Sequence, residues 1–254
     1  QIEKLKNFNH KDLTLTYVGT GKKHLSLGEL RGNKFTIVIR NINEQPANIT
    51  KIPNLFGEQR FSQHNVDIGR ALIKKNFLEA AKLVDDPQTK QQLRNNPNNP
   101  LVALQKVHKK ILTLYVHAYQ SYLFNQTVHT YLKWGTLNDK TNIKIPLIGF
   151  GMEEIVDPKI KDIIKNLMEA EQITERDFII REMPSISAEG GLRDLFIDVK
   201  DLCIGELEND EVNPLKKKCM LSFTLAKGCY ATTVIDFLCN TVPIAPQGPT
   251  TMCP

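Results

Sequence analysis

Asn33-Lys-Phe-Thr-Ile-Val-Ile-Arg-Asn-Ile42 alternates in character along its length. Phe35, Ile37 and Ile39 fall on one side, with Lys34, Thr36, Val38 and Arg40 on the other. That period of two belongs to a strand with one buried face. It returns near the other end of the chain. Cys219, Leu221, Phe223 and Leu225 alternate in one stretch, and Leu195, Ile197 and Val199 alternate in another. A turn-rich Gly-Glu-Leu-Glu-Asn-Asp-Glu-Val-Asn-Pro, 205–214, separates these two, so they read as antiparallel strands. Asp12-Leu-Thr-Leu-Thr-Tyr-Val18 alternates as well and predicts a further strand. The Gly- and Lys-rich segment from Gly19 to Gly32 reads equally as a solvated hairpin connection or as a binding loop.

Between these ends the period becomes helical. Val66, Gly69, Leu72, Ile73, Phe77, Ala80 and Ala81 predict one helix capped by Asn65 and running to about Val84. Asp85 to Pro100, with three prolines and four Asn, breaks the period and reads as a loop or hinge. Leu101 to Trp134 predicts two helices with a break near Lys109. In it Tyr115, Ala118, Tyr119, Tyr122 and Leu123 form a stripe best read as core. Asp157-Pro158 opens another helix, with Ile160, Ile163, Ile164, Leu167 and Met168 inward. After Gly228 a last helix puts Ala231, Val234, Ile235 and Leu238 inward, and a Pro-rich tail comes after it. Strands at the ends and helices in the middle make an α+β fold with a mixed, mainly antiparallel sheet.

The chain has 254 residues, 41% hydrophobic and 24% charged, with a net charge of +5. This suffices for one or two domains and permits a nucleic-acid partner without demanding one. No apolar run has the length of a membrane span, and the chain reads as soluble and cytoplasmic. Five cysteines without CxxC spacing and six histidines without HExxH favour packed, reduced thiols and no metal. No GxxxxGK[ST] loop is present, which excludes the common NTPase class. Cys229 sits at a strand-to-helix turn, but nothing near it in sequence supplies a base.

Two segments remain, Asn54-Leu-Phe-Gly-Glu-Gln-Arg-Phe61 and Gly228-Cys-Tyr-Ala-Thr232. Asn54 carries a donor and an acceptor suited to a base edge, and Phe56 and Tyr230 offer flat faces for stacking. Backbone N–H groups after Gly228 suit a phosphate or a carbonyl oxygen. From composition alone, a turn cap at Asn54, a core Phe56 and a turn-forming Gly57 explain the first segment better.

Four ordered segments alter that balance: residues 27–42, residues 54–61 with 65–83, residues 114–128 and residues 221–235. Together they resemble the tRNA pseudouridine synthase D (TruD) family, in its archaeal form, over about residues 24–240. The family's usual N-Y-F-G-x-Q-R-F-G has Leu55 and Ser62 at its second and last positions here. Asp236-Phe237 stands where the family has Arg-Glu. The family's G-x-K-D-x-x-A-x-T-x-Q segment, which carries the nucleophilic Asp, does not occur among these residues, and Asp12 does not fit it. The resemblance implies that this Asp belongs upstream of Gln1, so no catalytic residue is expected here.

The resemblance implies a pseudouridine synthase sheet with a largely helical inserted domain. Residues 1–74 and 187–240 would form the catalytic domain, residues 75–186 the insertion and residues 241–254 a tail. It implies isomerisation of uridine to pseudouridine in tRNA, usually at uridine 13, without a cofactor. Asn54, Phe56 and Tyr230 match nucleotide-contacting positions, while Gly57, Arg60 and Gly228 match motif positions with a shaping or RNA-binding role. The alternative is a non-catalytic RNA-binding protein on the same scaffold; a blander one is a protein-interaction domain.

Overall fold

The computed structural model describes residues 8, 10–24, 26, 29–62, 64–133 and 143–240. The chain divides into two units, residues 1–31 and 32–254. In the first, Asp12–Val18 forms no strand, contrary to its alternation. One isolated bridge joins His10 to Leu13, and Leu13, Leu15 and Tyr17 are exposed. Alternation becomes a strand only when a ladder receives its backbone groups. The Pro-rich tail lies outside the described residues.

The second unit holds the α+β fold expected from the sequence. Strand β1 (Gly32–Ile42) pairs antiparallel with β8 (Lys217–Ala226). In that register Phe35 faces Phe223, Ile37 faces Leu221 and Ile39 faces Cys219 on the covered side. The opposite side carries Val38 beside Met220, both exposed. Strand β6 (Lys200–Ile204) continues the sheet beyond β8, and β7 (Glu208–Asn209) pairs with the start of β8. All these ladders are antiparallel; a lone bridge, Phe150 to Glu189, is parallel. Helix α7 (Ala231–Asn240) comes directly after β8 and buries Val234 and Leu238 in the same core as Ile39, Leu221 and Phe223.

The stretch with alternating Leu195, Ile197 and Val199 is divided among three sheets. Strand β4 (Gly191–Asp194) pairs with β3 (Lys144–Leu147), and β5 (Phe196–Asp198) pairs with β2 (Lys51–Pro53). Only β6 joins β8. Leu195 belongs to the helical core, whereas Ile197 and Val199 belong to the sheet core. The chain passes here from one core to the other, and this junction positions the candidate site.

The expected single helix from Asn65 to Val84 is two, α1 (Asn65–Ile73) and α2 (Phe77–Leu83). Lys75 breaks it with a left-handed φ of 60°. Its ammonium donates to the Ile73 and Asp177 carbonyls, and the Asn76 side chain caps α2. Asn65 is the first helical residue and does not itself cap α1. The supposed loop from Asp85 to Pro100 contains helix α3 (Pro87–Asn95). Asp86 accepts hydrogen bonds from the Thr89 backbone and hydroxyl at 2.7 and 2.8 Å, with Pro87 at the first turn. That start signal outweighs a polar composition.

Helices α4 (Pro100–Leu104) and α5 (Lys109–Lys133) separate where the break was expected, and α6 (Pro158–Glu171) starts at its Asp-Pro cap. Helix α5 is the axis of the helical core, with Val116, Tyr119, Leu123, Phe124 and Val128 fully buried. Helix α1 crosses it at Gly69. A Cβ there would lie 2.1 Å from the Tyr115 carbonyl oxygen, so only glycine fits. Cys219, Cys229 and Cys239 are free thiols, as expected.

An ion cluster ties β1 to the turn before β8. Asp210, with its side chain fully buried, accepts from Arg40 (2.9 Å), the Asn41 and Val212 amides (2.9 Å each) and Asn213 (2.7 Å). Burial alone would raise its carboxyl, but these hydrogen bonds hold it well below the usual carboxylate range. Hydrogen bonds from Arg40 and then Lys218 bring Glu211 down to about 2. Both groups take up protons more readily unfolded, where a carboxyl titrates near about 4. Their stabilisation is therefore complete above about pH 4 and lost as pH falls towards 2. Urea midpoints should fall between pH 4 and 2, and less steeply in Asp210→Asn. Equal slopes in the two proteins would contradict this assignment.

Candidate functional site

Strand β2 ends in Pro53, and its pairing with β5 fixes the next residue. The Asn54 amide nitrogen donates to the Leu195 carbonyl at 2.8 Å. Residues 54–57 form neither helix nor strand and lead into a 3-10 turn, Glu58–Phe61. This irregular loop is held from the helical side by Asn125 of α5. The Phe56 N–H donates to Asn125 Oδ1 at 3.0 Å, and Asn125 Nδ2 donates to the Phe56 carbonyl at 3.0 Å. One side chain thereby imitates a strand partner and fixes the position of the aromatic ring.

Phe56 stands at the centre of the cluster. Its ring meets buried Phe124 edge-to-face at 5.5 Å and Tyr230 at 6.0 Å. The fold thus brings Phe56 and Tyr230 together from opposite ends of the chain. Gly57 lets this happen through its small size, not its backbone angles. A Cβ on it would lie 2.8 Å from Thr232 Oγ1 and 3.0 Å from a Tyr230 ring carbon. Gly228 has a φ of 80°, a left-handed turn that suits glycine. Arg60 lies with Cζ 5.8 Å from the Phe56 centroid and donates to Ser121 at 3.4 Å. Burial first, and the Arg60 charge second, lower the His117 pKa. Burial raises the Cys229 thiol despite the nearby Arg193 charge, which leaves no thiolate nucleophile at neutral pH.

Asn54 is buried, and both ends of its amide are engaged. Nδ2 donates to the Asp194 carbonyl at 3.0 Å, and Oδ1 accepts from Arg193 at 2.6 Å. Arg193 is the residue that sequence reasoning missed. It lies in β4, half-buried, with Cζ 4.2 Å above the Phe56 ring centre. Nε donates to the Asn54 carbonyl at 3.0 Å and Nη2 to the Gly228 carbonyl at 3.1 Å. A lone Arg in Gly-Gly-Leu-Arg-Asp carries no local signal; only the β2–β5 and β3–β4 pairings bring it to Phe56. Among the described residues it makes no ion pair. The cluster joins an aromatic patch, two cations and a held amide, an arrangement fit to grip a base and its phosphate.

Among the described residues, no group of three His, Cys, Asp or Glu is placed to hold a metal ion, and no helix is long and apolar enough to cross a membrane.

A family profile described as tRNA pseudouridine synthase D (TruD) matches residues 1–92, 83–142 and 136–236. A Nanoarchaeum equitans protein described as "probable tRNA pseudouridine synthase D" is 30% identical, over 89% of this chain and 71% of its own. A Methanosarcina acetivorans protein with the same description is 26% identical, over 92% and 73%. A solved Methanosarcina mazei structure described as a tRNA pseudouridine synthase D has the same fold. Its TM-score is 0.75 at 21% identity, over 95% of this chain and 76% of that one. The profile runs through both ends of the sheet and the helices between them, and so takes in every residue around Phe56: the chain belongs to the tRNA pseudouridine synthase D family.

Proposed function

We propose that this chain is the nucleotide-gripping part of a tRNA pseudouridine synthase acting on uridine 13. The observation that carries it is the meeting of Phe56, Tyr230, Arg60 and Arg193 beside one loop, in a chain of this family. The reaction breaks an N-glycosidic bond, turns the base and rejoins it through carbon. It requires a base lifted from its stack into a closed pocket, and a carboxylate. Tyr230 offers its face to the base and Phe56 lies beside it, Gly57 lets their two segments approach, and Arg60 and the turn at Gly228 lie where a backbone phosphate would pass. The carboxylate is supplied by the G-x-K-D segment, which these residues lack. Residues 1–74 and 187–240 serve as the catalytic domain, with 75–186 clasping the tRNA. Two separate hydrophobic cores, one helical and one on the sheet, support that division, although the helical core also takes in Ile68 to Ile73.

Binding through phosphates releases counterions, so affinity for a tRNA transcript should fall steeply with salt. About six contacts would lower it ~10³-fold between 50 and 200 mM salt. Fluorescence anisotropy across that range is the test. Absent or salt-insensitive binding would remove the RNA reading and favour a protein-interaction domain.

A further inference from the structure

A pocket that selects uridine must tell uracil from cytosine. The two bases differ where one has a carbonyl at position 4 and the other an amine. An Asn amide both donates and accepts, and by turning over it can satisfy either base. A guanidinium only donates. In this fold the Asn54 amide is already spent, on Asp194 at one end and Arg193 at the other. Arg193 is fixed by three hydrogen bonds, two from Nη2 and one from Nε, and lies flush with the centre of the aromatic patch. Its Nη1 donates to no described residue.

Resting on the uridine-binding reading of the site, we propose that Arg193 is the specificity-determining residue of the pocket. Its Nη1 donates to the carbonyl at position 4 of uracil, and Asn54 is the positioning residue that aims it. Cytosine presents an amine there, so two donors face each other and one buried N–H is left unpartnered, which is costly. Because Arg193 covers one side of Phe56, the base lies edge-on to the guanidinium and takes its stacking contact from Tyr230.

The test uses the full chain, ¹⁵N-labelled, titrated with uridine and cytidine 5′-monophosphate. The wild type should bind the uridine nucleotide about tenfold more tightly, the range of one hydrogen bond to a charged group. The Arg193 Nε–H signal should shift with that nucleotide and much less with the other. Arg193→Lys keeps the charge and loses the fixed fork. It should bind both nucleotides within about twofold of each other. Asn54→Ala releases Arg193 and should erode the preference in the same way. Equal wild-type affinities, or a preference that survives in Arg193→Lys, would overturn the proposal. The wild-type comparison decides it even if neither variant folds. The salt-dependent tRNA measurement is independent: its failure alone removes the RNA reading, whereas nucleotide equivalence with intact tRNA binding removes only the role of Arg193.

Discussion

Incubated with a uridine-13 tRNA transcript tritiated at uracil C5, the 254-residue chain should release no tritium above the enzyme-free background. Pseudouridine formation replaces the C5–H bond by a C5–C1′ bond, so tritium release reports each turnover. The reaction requires a carboxylate against the nucleoside. The cluster around Phe56 offers two guanidinium groups, amides, a hydroxyl and a thiol with a raised pKa. None of these substitutes for an aspartate as nucleophile. Glu58 and Asp194, the acidic residues that adjoin Phe56 and Arg193 in sequence, are exposed and belong to no G-x-K-D segment. A positioned acid or base is worth ~10²–10⁴ in rate, and a lost covalent nucleophile at least as much. Activity should therefore vanish while tRNA binding persists. Measurable release would overturn this, and Asp194→Asn with Asp12→Asn would then identify the carboxylate used. Fusing the nucleophile segment of a family member ahead of Gln1 separates an enzyme from a non-catalytic binder. Restored release fits the first, and continued silence fits the second.

The sheet was legible because its signal is local and redundant. Phe35, Ile37 and Ile39 in β1 and Cys219, Leu221 and Phe223 in β8 each keep to one face, and the register places them opposite one another. The Asp157-Pro158 start was legible for the same reason, a cap and a first-turn proline in adjacent residues. Asp86-Pro87 carries the same signal, yet the Asn- and Pro-rich context around it predicted a loop. The break at Lys75 left no trace in hydrophobic period, because Phe77, Ala80 and Ala81 continue the spacing after a left-handed residue. Leu195 to Val199 misled for a different reason. Its alternation is real, but successive residues turn to different cores and different partner strands. Two walls of the site, Asn54–Arg60 and Gly228–Tyr230, were marked by unusual composition and by the family resemblance. Arg193 was not, since its meaning lies in Asn54, 139 residues away. Asn125 stayed hidden inside a helix stripe whose aromatic neighbours read as core.

Phe124→Ala should cost about 3–5 kcal/mol of stability, the range for emptying a fully buried aromatic site. Phe124 has no exposed surface and lies in the helical core. It also supports the site, meeting Phe56 edge-to-face at 5.5 Å and the Arg193 guanidinium carbon at 5.7 Å. The next residue, Asn125, grips the Phe56 backbone. One turn of α5 thus sets both the ring and the loop that carries it. Domains of this kind have only about 5–15 kcal/mol in total, so the variant should remain folded only under mild conditions. Phe124→Leu keeps most of the volume and should lose far less. Denaturant titration decides: the midpoint should fall strongly for Ala and slightly for Leu, with the slope unchanged. If Leu fills the core but cannot buttress the ring, the folded variant should also lose affinity for uridine 5′-monophosphate. An unchanged midpoint for the Ala variant would mean that the helical core does not rest on Phe124, and the rigid support for Phe56 would have to come from Asn125 alone.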